Sequence, residues 1–252
     1  MLTRQRQQHI LETLRRDGQV VAKALSAELD LSEDTIRRDL RELAREGLLQ
    51  RVHGGALPAS AAIADFRTRQ GVSVQEKAAI GAAAAALIRP GQVVFIDGGT
   101  TAVQLVRRLD QRLSATIVTH SPSIAVELAA HPGIEVIIIG GRLFKHSVVS
   151  VGATAIEGIS RVRADAYFMG VTGVHPTAGL STGDAEEASI KRALMAAAAE
   201  TVVLASSEKL GAASAYVIAP VSEAATLVTT AAISPADAAA YEAAGLTVVR
   251  AS

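Results

Sequence analysis

Apolar residues recur at helical spacing through the first third of the chain. Residues 4–16 carry Ile10, Leu11 and Leu14 on one side and stop at Asp17-Gly18. Residues 20–29 place Val21, Leu25 and Leu29 on one face, which predicts a second, shorter helix. Asp30-Leu31-Ser32 then reads as a tight turn into a third helix, with Ser32 as a cap whose hydroxyl can accept from a free first-turn N–H. Ile36, Leu40 and Leu43 form the inward stripe of that helix, and Asp34, Arg38, Arg41 and Arg45 fall opposite, with Arg37 on the flank. Gly47 ends it where a left-handed residue costs little. Residues 48–52 are apolar enough for a strand, and Arg51 and His53 sit at a hairpin tip beside Gly54-Gly55. Three short helices and a basic hairpin within residues 1–57 predict a winged helix-turn-helix, a module that lays its last helix in the major groove of DNA. On this reading Thr35, Arg37, Arg38, Arg41, Arg51 and His53 meet DNA. Taken alone, the third helix reads equally well as a solvated helix studded with arginines.

Periodicity vanishes over residues 58–75, where Pro58 and Gly71 interrupt a small, polar stretch. This predicts a linker, with Arg67 and Arg69 expected at the surface and contact with phosphate or with the second domain as the alternative. From residue 76 to 252 helical and β-branched segments alternate. Strands are predicted at 92–96, 115–118, 134–139, 166–169, 202–205, 226–228 and 247–249, and helices at 76–88, 102–109, 122–130, 153–159, 184–199 and 235–244. Residues 134–139 are expected to be a fully buried strand. Alternation of this kind demands right-handed crossovers, hence a Rossmann-like, mainly parallel α/β domain covered on both faces.

Ligands of such sheets sit beyond the carboxyl ends of the strands. The predicted strand ends here are Asp97-Gly98-Gly99-Thr100-Thr101, His120-Ser121 after Thr119, Gly140-Gly141-Arg142, and Gly170 opening Gly170-Val171-Thr172-Gly173. Glycines let backbone N–H groups approach an anion, and Thr100 and Thr101 add hydroxyl donors. Asp97 is suited to accept from sugar hydroxyls or to cap the turn. Lys191 and Lys209 are candidate phosphate partners, with plain surface charge as the alternative, and Lys145 and His146, in the loop after Gly141, are candidates to gate the site although nothing in the sequence fixes their direction. Together these residues predict a small, phosphorylated, polyhydroxyl ligand.

Composition narrows the setting. The 252 residues are 49% hydrophobic but 3% aromatic, so the core must be built from small aliphatic groups. Zero cysteines exclude a disulfide framework and a thiolate metal site, and no residue pattern calls for a metal or a cofactor. No uncharged apolar run reaches about 18 residues and the N-terminus has no apolar signal region, which predicts a cytoplasmic protein without membrane association. Residues 1–57 hold ten Lys and Arg against nine Asp and Glu. So balanced a module cannot hold DNA by bulk charge, which predicts that two modules act together in a dimer or higher homo-oligomer.

The segments Thr35-Ile36-Arg37-Arg38-Asp39-Leu40 and Arg51-Val52-His53-Gly54-Gly55-Ala56 resemble the TIRRDL helix and RVHGGA wing of the DeoR family of bacterial sugar-responsive transcription regulators. Glu76-Lys77, Asp97 to Thr101, Gly140-Gly141, Gly179-Leu180-Ser181-Thr182, Glu187 and Lys191-Arg192 extend the resemblance over nearly the whole chain. It implies a C-terminal sensor similar in fold to ribose-5-phosphate isomerase and glucosamine-6-phosphate deaminase. It also implies a phosphorylated sugar at the Asp97–Thr101 edge that changes DNA affinity, and a repressor of sugar catabolism genes. Two segments depart from the family pattern. Ala205-Ser206-Ser207-Glu208-Lys209-Leu210-Gly211 stands where the family has A-D-S-S-K-F-G, and His120 replaces the asparagine of V-T-N-S. The histidine is expected to alter ligand choice or to make binding pH-sensitive.

The same residues bear on other functions. A sugar-phosphate isomerase or deaminase fused to a DNA-binding module needs a positioned carboxylate. Met169 to Gly173, which corresponds to the D-G-A-D-E motif of ribose-5-phosphate isomerase, has none, and Asp165, Asp184, Glu186 and Glu187 are the nearby stand-ins. A dinucleotide binder would need G-x-G-x-x-G, which the Asp97 loop lacks. A pure dimerisation scaffold would have no need of polar strand ends.

Overall fold

The computed structural model describes residues 2–252. The N-terminal module consists of α1 (Thr3–Asp17), β1 (Val20–Val21), α2 (Ala22–Glu28), α3 (Glu33–Arg45), β2 (Leu49–Val52) and β3 (Gly55–Pro58). Ile10 and Leu14 of α1, Leu25 of α2, the α3 stripe Ile36, Leu40 and Leu43, and Leu49 close one small core. Ser32 caps α3 as expected, its Oγ accepting from the Thr35 N–H at 3.2 Å. Val20 and Val21 are not helical. They pair with Ala56 and Gly55 and complete a three-stranded sheet in the order β1-β3-β2. The pairing explains Gly55, because a Cβ there would lie 1.8 Å from the Val20 carbonyl oxygen.

A 3-10 turn over Ala61–Ile63 and the four-residue α4 (Phe66–Arg69) lead into α5 (Val74–Ala85). The larger domain continues with β4 (Val93–Ile96), α6 (Thr100–Val106), β5 (Ala115–Thr119), α7 (Pro122–Leu128), β6 (Ile134–Ile138), β7 (Arg142–Phe144), β8 (Val149–Val151), α8 (Ala153–Ser160) and β9 (Ala164–Gly170). It ends with β10 (Gly173–His175), β11 (Gly179–Thr182), α9 (Ala185–Ala196), β12 (Ala198–Ala205), β13 (Tyr216–Ala219), β14 (Thr226–Thr230), α10 (Pro235–Ala243) and β15 (Thr247–Ala251). Seven strands form one parallel sheet in the order β15-β14-β12-β9-β4-β5-β6.

The two-residue strand repeat decides which side chains face which layer. Val94 and Ile96 of β4, Ala166 and Phe168 of β9, and Val202 and Leu204 of β12 pack with α5, α6 and α7. Their neighbours Phe95, Tyr167, Met169, Val203 and Ala205 pack on the other side with α8, α9 and α10. Both faces are therefore apolar, as a covered parallel sheet requires. Residues 134–139 correct the expectation of a fully buried strand: β6 is an edge, with Ile137 40% and Ile138 54% exposed. Glu135 lies within that run, and apolarity alone could not show that nothing pairs beyond it. The small antiparallel sheet β10-β11-β13 and the β7-β8 hairpin have no counterpart among the elements that periodicity predicts.

The winding of the sheet fixes where a ligand can sit. The chain enters at β4, moves outward through β5 to β6, then returns to place β9 on the opposite side of β4 and continues through β12 and β14 to β15. The β4–β9 boundary is thus the switch point, where loops leave in opposite directions and open a crevice at the carboxyl ends.

Candidate functional site

The loops after β4 and β9 meet at that boundary. Asp97, directly after β4, is 1% exposed and accepts five hydrogen bonds. Oδ1 receives the Gly98 N–H at 2.8 Å and His120 Nε2 at 2.8 Å. Oδ2 receives the Tyr167 hydroxyl at 3.0 Å, the Gly170 N–H at 3.0 Å, and the Lys191 ammonium. Burial alone would push the Asp97 carboxyl up; the Lys191 charge and the His120 bond outweigh it and hold the group well below the usual carboxylate range. Tyr167 is pushed well above its ordinary value, first by burial and then by the Asp97 charge.

His120 sits behind this carboxylate, 2% exposed, with Nδ1 2.9 Å from the Ser150 carbonyl oxygen. Its two ring nitrogens thus clamp the ring between the Asp97 carboxylate and the Ser150 carbonyl. Ser121 is fully buried and donates to the Val148 carbonyl at 3.2 Å. Gly98 must be glycine, since a Cβ there would lie 2.2 Å from Val149 Cγ1.

In front of this cluster lies a cavity of about 150 Å³. Of the candidate residues, Gly98, Gly99, Thr100, Thr101, Gly170, Lys191 and Lys209 line it. Asp97, His120 and Ser121 lie behind them and do not. Gly140 and Gly141 also lie off the cavity, and Arg142 is exposed in an ion pair with Glu186. His146 lines the wall with Ser147; Lys145 does not.

Two further cations, which the sequence pattern does not assign to the ligand, also line the cavity. Arg69 reaches in from α4, against the expectation that it is exposed, and Lys77 reaches in from α5. Four cations therefore converge: Arg69, Lys77, Lys191 and Lys209. Lys209 is 5% exposed, and burial lowers it to about 7, aided by Lys77, Arg69 and Lys191 and opposed by Glu208. Lys77 and Arg69 are likewise lowered by burial. Three carboxylates, those of Asp184, Glu187 and Glu208, border the space. Asp184 caps α9 through the N–H groups of Glu186 and Glu187, and Glu208 accepts from the Ser206 and Ser73 hydroxyls. The Glu187 carboxylate is left without a hydrogen-bond partner among the described residues. Thr101 Oγ1 is also buried and unpartnered. The cavity thus holds uncommitted donors and one uncommitted acceptor, the complement of a small ligand with an anionic group and hydroxyls. Of the other possible acid–base stand-ins, Asp165 accepts from the Val93 N–H at the opposite end of the sheet.

A second constellation lies on the N-terminal module. Arg37, Arg51 and His53 line one groove between α3 and the hairpin, while Arg38 and Arg41 are exposed along α3. Arg37 is engaged by Glu33 at 2.6 Å, and Thr35 Oγ1 lies 2.9 Å from Ser32 Oγ. Behind them Asp39 is fully buried and held by a fork from Arg6 of α1, with Nη2 to Oδ1 at 3.0 Å. This pair pins the arginine-bearing helix to α1. Asp39 falls within the TIRRDL segment, but nothing in the sequence pairs it with Arg6.

Among the described residues no helix is long and apolar enough to cross a membrane. The model of the DeoR-like helix-turn-helix domain matches residues 6–61, and that of the DeoR C-terminal sensor domain matches residues 72–231. The HTH-type transcriptional regulator GlpR of Haloferax volcanii is 34% identical over 99% of this chain and 98% of its own. The HTH-type transcriptional repressor GlcR of Bacillus subtilis is 31% identical over 87% and 85%, and the glycerol-3-phosphate regulon repressor of Escherichia coli 31% over 82% of each. The solved ribose 5-phosphate isomerase of Methanocaldococcus jannaschii overlaps 53% of this chain and 52% of its own with a TM-score of 0.40 and 19% identity, a loose likeness only. With an arginine-bearing helix pinned at one end, a polar crevice at the switch point of the other, and both halves matched in order, the chain belongs to the DeoR family of DNA-binding transcriptional regulators.

Proposed function

We propose that this regulator is a repressor whose operator affinity is set by a phosphorylated sugar or polyol bound in the switch-point cavity. The observation that carries the reading is the convergence of Arg69, Lys77, Lys191 and Lys209 on a space that also holds the unpartnered Thr101 hydroxyl and the uncommitted Glu187 carboxylate. Buried charges are costly without a counter-charge, and a phosphoryl group supplies one. Gly98, Gly99, Thr100, Thr101, Gly170, Lys191 and Lys209 contact the ligand, and Glu187 accepts from its hydroxyls. Asp97 and His120 act from behind, fixing Lys191. The names of the repressors among the relatives support the sign of regulation, and that of the glycerol-3-phosphate regulon repressor supports a phosphorylated polyol as the ligand class.

On DNA, Arg37, Arg38 and Arg41 of α3 enter the major groove and Thr35 meets a phosphate, while Arg51 and His53 of the hairpin grip the backbone or minor groove. A single module is nearly uncharged, so the working unit is a dimer or larger homo-oligomer in the cytoplasm, on paired half-sites about one turn apart or a multiple of it. Occupancy of the cavity changes operator affinity by about 1–3 kcal/mol, roughly 5–150-fold. The cavity is read as a sensor rather than an enzyme, because of its three bordering carboxylates Asp184 is committed to the α9 cap and Glu208 to the Ser206 and Ser73 hydroxyls, which leaves Glu187 without a free second acid.

The test is a melting-temperature screen of the full chain against phosphorylated sugars and their unphosphorylated parents. A ligand at 100 times its Kd adds about 2.7 kcal/mol. A phosphosugar that stabilises while its parent does not supports the reading, and that compound must then alter operator binding. A panel in which nothing shifts the transition overturns the effector assignment.

A further inference from the structure

Residues 62–71 fall between the two family-model matches and belong to neither. Together with residues 59–61 and 72 they make a strap that is bound to the rim of the cavity. Ser60 Oγ donates to the Thr172 carbonyl, the Phe66 N–H donates to the His146 carbonyl at 2.8 Å, and Ala59 bridges to Ala213. Lys77 Nζ donates to the Arg69 carbonyl at 2.8 Å, fixing the end of α4. Ala62, Ile63, Arg69 and Val72 of this strap form one wall of the cavity. Upstream, the strap runs without a break into β3, the strand that carries the hairpin of the DNA-binding module.

The Arg69 side chain is unusual among the cavity cations. Its Nε is buried with no hydrogen-bond partner, and Nη2 has only a long 3.4 Å contact to Ser147 Oγ. No carboxylate lies within ion-pair distance among the described residues. Nε–H and Nη2–H lie along one edge of the guanidinium, the edge that grips a phosphate or carboxylate through two parallel bonds. In Arg69 the Nε end of that edge has no partner, Nη2 holds only the long Ser147 contact, and the side chain lines the cavity. Burial already disfavours its charge, with Glu187 and Asp97 opposing, so a bound oxyanion satisfies both the charge and the two donors.

We propose that Arg69 is an anion-binding residue supplied by the interdomain strap, that its Nε/Nη2 edge clasps the phosphoryl group of the effector, and that ligand occupancy thereby reaches the DNA-binding hairpin. This rests on the phosphosugar reading of the cavity. Because the oxyanion comes in from the sheet side and Arg69 from the strap side, binding ties the strap to the sensor; the hairpin, one strand away, feels the change.

Inorganic phosphate serves as the probe, titrated calorimetrically into the full chain and into Arg69→Ala, Arg69→Lys, Lys209→Met and Arg67→Ala. Loss of a charged bidentate contact weakens phosphate binding roughly 10- to 100-fold in Arg69→Ala. Arg69→Lys recovers only part, since an ammonium offers no fork. Arg67, exposed on the same turn, is the control, and its variant binds like wild type. Two readouts separate ligand binding from a structural role. The ligand-free Arg69→Ala protein melts no lower than wild type, because an uncompensated buried charge has been removed. Amide exchange over residues 59–73 slows on adding phosphate in wild type and not in Arg69→Ala. If wild type and Lys209→Met bind phosphate differently but Arg69→Ala binds like wild type, the inference about Arg69 falls and the cavity reading stands. If wild type binds no phosphate, both fall. A ligand-free Arg69→Ala protein that melts several degrees lower assigns Arg69 to holding the strap and overturns the proposal.

Discussion

Replacing Asp97 by asparagine tests whether the sensor is organised around one buried negative charge. The carboxylate is 1% exposed, and its partners Lys191 and His120 are 5% and 2% exposed, so none can turn to water for compensation. The amide nitrogen introduced by Asp97→Asn must take the place of one carboxylate oxygen. At Oδ2 it would face three donors: the Tyr167 hydroxyl, the Gly170 N–H and Lys191. At Oδ1 it faces His120 Nε2 and the Gly98 N–H. The second orientation is the cheaper one, because it sets the amide nitrogen against two partners rather than three. Lys191 then remains buried without its counter-ion and the Gly98 N–H without an acceptor. Breaking a buried ion pair from one side costs about 3–5 kcal/mol. With a urea m-value of about 1–3 kcal/mol per M, the unfolding midpoint followed by circular dichroism should fall by about 1 M or more. The pH dependence supplies a sign. The Asp97 carboxyl is held below its unfolded value of about 3.9, so its contribution is present above that pH and is lost as the pH falls below it. The gap between wild type and Asp97→Asn must therefore narrow in acid. A loss under about 1 kcal/mol at neutral pH, or a gap constant down to about pH 3, refutes the claim that this charge is the keystone of the site.

Three further predictions bear on other parts of the chain. Lys209 is lowered to about 7 in the fold against about 10.4 in an unfolded chain, so the unfolded state holds the extra proton between those values and stability rises with pH across that window. Urea midpoints at pH 6.5, 8 and 9.5 should show this rise in wild type and a flatter profile in Lys209→Met; parallel profiles would remove the buried-ammonium argument. Arg38→Ala should weaken operator binding by about 1–3 kcal/mol in fluorescence anisotropy if the side chain reads a guanine, and unchanged affinity would reverse the assigned orientation of α3. Gly55→Ala drives a Cβ to 1.8 Å from the Val20 carbonyl oxygen. It should cost about 1–3 kcal/mol in thermal unfolding and loosen the hairpin, and a melting temperature equal to wild type would count against the β1–β3 packing.

What the sequence determined by itself was everything governed by local period and local chemistry. The Ile36-Leu40-Leu43 stripe, the Ser32 cap and the β-branched runs 202–205 and 226–228 specify their elements with no knowledge of neighbours, because side-chain spacing and capping act within a few residues. The strand-end residues Gly98 to Thr101 and Gly170 were legible for the same reason: a parallel sheet presents its carboxyl ends to a ligand whatever the rest of the fold does. Tertiary structure decided the pairings between distant residues. Asp97 turned away from the expected ligand and toward Lys191, ninety-four positions away, and Arg6 closed on Asp39 across thirty-three. It also decided that Ile137 and Ile138 lie on an open edge, since apolarity says that a strand wants cover and not whether another strand arrives. Above all it drew Arg69 out of an apparently featureless linker into the cavity. A four-residue helical turn has no period to read, and only the packing of the strap against the β7-β8 and β9-β10 loops reveals which way its arginine points.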